Sequence, residues 1–175
     1  MLIRAAVALA FGVLTIFWSA PSVAGMAWAG GAYLLVTGVV LILGVKKAGF
    51  RTGSAAGKIL SAAGAVLTGA GAAVALMPGG LVFGALAALG LGVAGIAELY
   101  LGLTSRGRSV LARDWIASGM IGLGTAAALP FFIHLGPHAL LGVAGGGAII
   151  SGMLWVLAGL TLRHDAPGHS TEAVN

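Results

Sequence analysis

The chain has 175 residues, 59% of them apolar and 7% charged, with a mean hydropathy of +1.09. Soluble domains carry roughly a quarter charged residues, so a soluble globular fold is excluded and a membrane protein is expected. Zero cysteines exclude disulfides, thiolate zinc sites, iron–sulfur ligation and a cysteine nucleophile, while 31 glycines without a Gly-X-Y period suit close helix packing in lipid.

A spanning helix needs about 20 mostly apolar residues. The first uncharged run, Ala5 to Val45, has 41 residues and holds two such spans. The second, Ile59 to Ser105, has 47 residues with a single acid, Glu98, and the third, Trp115 to Leu162, has 48 with none. Ala20-Pro21-Ser22, Pro78-Gly79-Gly80 and Gly136-Pro137 divide the three runs near their middles, where proline and glycine end a helix at least cost. The predicted spans are therefore 3–20, 22–44, 58–77, 81–103, 114–135 and 138–162, with a kink in the fifth at Pro130. Met1 to Gly25 also fits a secretory signal, with Arg4 before an apolar core and Ser22-Val23-Ala24 as a small-x-small site. It is read as a retained span, since cleavage would leave five spans and destroy the repeat described below.

The nine basic residues are Arg4, Lys46, Lys47, Arg51, Lys58, Arg106, Arg108, Arg113 and Arg163. All fall on one side of the predicted alternation, and the positive-inside rule then places both termini and both longer loops in the cytoplasm. The net charge of +5 is a topology signal and a contact for anionic lipid headgroups. Spread over short loops, it is no footprint for nucleic acid.

Gly38, Gly95 and Gly152 are spaced by 57, each after a small residue, and Gly12 falls on Gly69 and Pro21 on Pro78 at the same step. The expected fold is all-α: a polytopic membrane protein of six transmembrane helices, arranged as three parallel two-helix hairpin repeats (1–47, 58–105 and 113–162) within one domain, 1–162. Residues 163–175 read as a disordered cytoplasmic tail. Parallel repeats imply an axis along the membrane normal, unlike the inverted repeats of many transporters. The second helices hold 16 glycines and the first helices 7. Helices two, four and six are therefore expected at the bundle centre, with Gly38, Gly84, Gly92, Gly95, Gly142, Gly146 and Gly152 as packing positions.

Three features of these units, Trp115 with Gly119 and Gly122, Pro78 at an outer turn, and Ala94-Gly95-Ile96-Ala97-Glu98 before a basic end, resemble the short membrane repeat of the HdeD-like acid-resistance family. The resemblance covers nearly the whole chain. Hairpins one and three depart from it, with Leu41 and Trp155 where the second has Glu98. Membership would imply a six-span bacterial inner-membrane protein associated with acid or stress tolerance, with no known catalytic site to carry over, and no cofactor is expected.

Glu98 is the one ionisable residue well inside a predicted span. Ala87, Gly90, Ala94 and Gly102 share its face, so it should point into the bundle, either as a proton-titrating carboxyl or as a carboxylate reaching toward Arg106, Arg108 or a cytoplasmic water layer. His134 and His138 flank the third outer turn and are further candidates for proton titration. Their spacing supplies no third metal ligand. Trp28 and Phe131 read as core or lipid contacts. Gly90-Leu91-Gly92-Val93-Ala94-Gly95 matches a dinucleotide-binding pattern but has no preceding strand. No Ser/His/Asp set, paired carboxylates or phosphate loop can be assembled, so an enzyme is not expected. The expected partners are the bilayer and either a second copy of the chain or another membrane protein. A channel or proton-coupled transporter using Glu98, or a structural subunit, are the alternatives.

Overall fold

The computed structural model describes residues 2–47, 54–107 and 112–164, which form six α-helices and no strand. They are α1 (Leu2–Phe17), α2 (Val23–Lys47), α3 (Ala55–Leu76), α4 (Gly80–Thr104), α5 (Ala112–Ala128) and α6 (Pro137–His164). Five segments are long and apolar enough to cross a membrane: Val23–Val45, Ala55–Leu76, Gly80–Thr104, Ala112–Leu135 and Pro137–Thr161.

Helix α1 is the exception. Its 16 residues rise about 24 Å at roughly 1.5 Å each, short of a hydrocarbon core about 30 Å thick. The expected span 3–20 therefore stops early. Pro21 cannot continue a helix, and the backbone leaves helical geometry at Trp18. The Ser22 hydroxyl then accepts from Gly25 N at 3.0 Å and starts α2, just as Ser54 accepts from Gly57 N at 3.1 Å to start α3.

The fifth span changes its winding at Pro130. Helix α5 gives way to a 3-10 helix over Leu129–Leu135, with the proline in its first turn. A proline has no N–H to offer the carbonyl four residues back, and tighter winding accommodates that loss. The chain reverses at Gly136, whose φ of 90° is a conformation that favours glycine. The tail past His164 lies outside the described residues.

The most extensive helix contacts are not within hairpins. They join α2 to α3, α4 to α5, and α6 back to α1, closing a ring. Helices α2, α4 and α6 also touch one another, whereas α1, α3 and α5 are not in contact with each other. The glycine-rich second helices thus surround the centre, and each first helix sits outside, against the second helix of the preceding hairpin.

Glycines make these seams close. A Cβ on Gly95 would lie 2.9 Å from both the Gly119 carbonyl oxygen and Leu123 N, and one on Gly152 would lie 2.8 Å from the Leu9 side chain. A Cβ on Gly38 would meet the Gly64 carbonyl at 2.5 Å and Thr68 N at 2.6 Å. Bare backbone on both sides lets helix axes approach where apolar burial gives little drive for association.

The backbone nitrogens that these three glycines face, on Leu9, Thr68 and Leu123, reveal a register difference. Leu9 and Leu123 are two 57-residue steps apart, but Thr68 is two residues beyond the midpoint. Helix α3 is therefore seated two residues off the sequence step. Accordingly Gly71, which would meet the Gly31 carbonyl, plays the part that Gly12 plays against the Gly145 carbonyl. Gly69, the alignment partner of Gly12, meets nothing within 4 Å.

The stripe Gly142/Gly146 requires a correction as a packing motif: both residues are exposed, and a Cβ on either would meet nothing within 4 Å. The buried face of α6 carries Leu141, Ala144, Gly145, Ala148 and Gly152 instead. Gly142 and Gly146 share a four-residue spacing but lie around the helix from that face. Of the other expected positions, Gly84 packs on Ile133, and Gly92 makes ordinary contact with Ala126.

Candidate functional site: a polar clasp around Glu98

Glu98 lies six residues before the end of α4 and is 2% exposed. Helical spacing puts it on the face of Ala87, Gly90, Ala94, Leu101 and Gly102, all of them buried. A carboxylate so placed in apolar surroundings is costly without partners. It has two, and both come from other hairpins.

Arg4, in the first turn of α1, donates from Nη2 to Glu98 Oε1. Ser118, on α5, donates to Glu98 Oε2 at 2.6 Å. The Arg4 guanidinium also lies over the Trp155 ring of α6, 4.6 Å from Cζ to centroid. One carboxylate thereby links α1, α4 and α5, and the cation–π contact brings in α6. Both carboxylate oxygens are engaged, the arrangement in which a buried charge is best tolerated. The Arg4 side chain is 17% exposed, so the pair sits close beneath the end of the bundle where α1 starts and α6 ends.

Of the anticipated cation partners, Arg106 does not supply this pair. Arg106 is exposed beyond the end of α4, and Arg108 lies outside the described residues. A folded-back arginine is unnecessary because α1 and α4 present Arg4 and Glu98 to one another across the bundle.

A cavity of about 40 Å³ adjoins the clasp, lined by Tyr33, Thr37, Ser151 and Trp155 together with Arg4, Glu98 and Ser118. Tyr33 is held by a parallel stack on Phe11, with centroids 4.2 Å apart and planes within 6°. Elsewhere, polar side chains within the spans satisfy themselves locally. Thr15, Thr68 and Thr125 donate to the carbonyls of Gly12, Gly64 and Ile121 at 2.7, 2.8 and 2.9 Å.

His134 and His138 are at the opposite end and are exposed. His138 Nδ1 is 3.2 Å from the Trp18 carbonyl oxygen, tying the start of α6 to the end of α1. The structure does not bring either histidine to Glu98. Among the described residues no three His, Cys, Asp or Glu side chains are grouped to hold a metal ion. Trp28 and Phe131 are both exposed on the apolar surface.

The reading from sequence found Glu98 but not the group around it. The signal was present in the spacing. Leu41, Glu98 and Trp155 are three residues beyond the 57-spaced glycines, and all three are buried. Five residues before Leu9, Thr68 and Leu123 stand Arg4, Ala63 and Ser118. The clasp therefore occupies one level of the bundle, with Leu41 and Ala63 as its apolar counterparts.

Comparison with known proteins adds no relative: no family model, curated protein or solved structure matches this chain.

Proposed function

We propose that this chain is a non-enzymatic, multi-pass protein of the bacterial inner membrane that serves acid or stress tolerance, as its resemblance to HdeD-like repeats implies. In this reading α1 completes a set of six spans. Three parallel hairpin units surround an axis along the membrane normal, and both termini face the cytoplasm, as the one-sided basic residues require.

The observation that carries the non-enzymatic reading is the engagement of Glu98 by Arg4 and Ser118. The acid within the spans is used to hold helices together, with one oxygen taken by Arg4 and the other by Ser118. Proton flux into vesicles reconstituted with the wild-type chain and with Glu98→Gln tests this. The expected result is no flux above protein-free vesicles for either. A wild-type flux lost in Glu98→Gln would instead establish the second reading, a proton-coupled channel or transporter, which the polar cavity beside Glu98 favours. Acid-shock survival of cells lacking the gene, with and without the wild-type chain restored, tests the physiological part: restoration should raise survival, and equal survival would refute it.

A third reading, a subunit of a larger membrane assembly, is favoured by the exposed Gly142/Gly146 stripe, a spacing that lets another helix approach closely. Cross-linking from that stripe to a second protein would support it.

A further inference from the structure

Trp155 is 3% exposed, and its Nε1 is the one buried side-chain nitrogen or oxygen without a hydrogen-bond partner among the described residues. An indole N–H is a donor only, and a buried donor without an acceptor is costly. The face of the same ring is already taken by the Arg4 guanidinium. The space that Trp155 borders is the clasp cavity, whose volume is about 40 Å³. A water needs roughly 10–15 Å³ measured this way, so there is room for about two or three.

The lining chemistry selects the occupant. Arg4 and Glu98 cancel in charge, which disfavours an ion of either sign. Tyr33, Thr37 and Ser151 present hydroxyls, which both donate and accept. Trp155 asks for an acceptor. A small neutral molecule that accepts one hydrogen bond and donates others answers all of these, and water does so at the available size.

We propose that this cavity is a hydration site within the apolar bundle, holding two or three waters that accept from Trp155 Nε1 and extend to the hydroxyls beside the Arg4–Glu98 pair. The site solvates the pair from the bundle side, so the clasp is not a dry ion pair. The inference does not depend on either transport or acid tolerance.

Proton NMR of the chain labelled with ¹⁵N-tryptophan in deuterated detergent micelles tests it. The four indole N–H signals are assigned by single Trp→Phe variants. If Trp155→Phe does not accumulate, its signal is the one left unassigned by Trp18→Phe, Trp28→Phe and Trp115→Phe. The expected result is a cross-peak between the Trp155 indole proton and water, absent from its contacts with detergent, and lost when Ser151→Val fills the space. A Trp155 indole proton that shows no water cross-peak in the wild-type chain, or one unchanged by Ser151→Val, would overturn the proposal.

Discussion

At the end of the bundle where α1 starts and α6 ends, α1, α4, α5 and α6 meet through an ion pair, a hydroxyl and a cation–π contact. At the opposite end the helices turn over on apolar side chains: Phe17, Leu76, Met77, Phe131 and Leu135 are all exposed there. A titratable group makes contact there through His138 and the Trp18 carbonyl. The contrast shows how a nearly charge-free chain acquires specific helix neighbours. In lipid, apolar side chains gain little by leaving one another for the bilayer, so a helix is told its partner by backbone approach and by polar pairing. Glycine seams run along the whole bundle, but only one end adds a polar rule that names α1, α4 and α5 together.

The largest effect should come from breaking that rule. Arg4→Met leaves Glu98 buried with Ser118 alone, and removal of one partner from a buried pair costs on the order of 3–5 kcal/mol. Unfolding in detergent, followed by circular dichroism against added dodecyl sulfate, should show a midpoint well below that of the wild-type chain.

The glycine seams sharpen the comparison at smaller amplitude. Gly95→Ala sets a methyl 2.9 Å from the backbone of α5, and such overpacking costs about 1–3 kcal/mol. Gly146→Ala meets nothing and removes a flexible residue from a helix interior, so it should leave stability unchanged or raise it by about 0.5–1 kcal/mol. The same unfolding assay distinguishes them, and equal losses for both would mean that α6 is turned differently in the membrane.

The smallest effect belongs to the apolar end. His138→Ala deletes one exposed contact to a carbonyl and should cost less than about 1 kcal/mol. A loss as large as that of Arg4→Met would erase the contrast between the two ends.

Much of this was legible in the sequence. Charge-free runs and proline-glycine turns located the helices to within a few residues, because a bilayer imposes a length that composition displays. Three things escaped. The early end of α1 depends on local backbone geometry at Trp18, which the apolar run from Ala5 to Val45 does not mark. The two-residue seating of α3 is a matter of which backbone atoms Gly38 meets, and a fixed sequence step cannot express it. The Glu98 partners lay 94 and 20 residues away. Arg4 was read only for its charge, so the fact that Arg4 and Ser118 stand two repeat steps apart went unused. The Gly142/Gly146 stripe shows the converse error, a motif with correct spacing on the wrong face of its helix.

The account rests on the Arg4–Glu98 contact being a clasp whose two members act as one. A double-mutant cycle tests this most directly, comparing the unfolding free energies of the wild-type chain, Arg4→Met, Glu98→Met and the double variant in the same detergent. If the pair is a clasp, the double variant is no less stable than either single one, and the coupling energy is on the order of 2 kcal/mol or more. Additive losses, with the double variant less stable by the sum of the two, would contradict it.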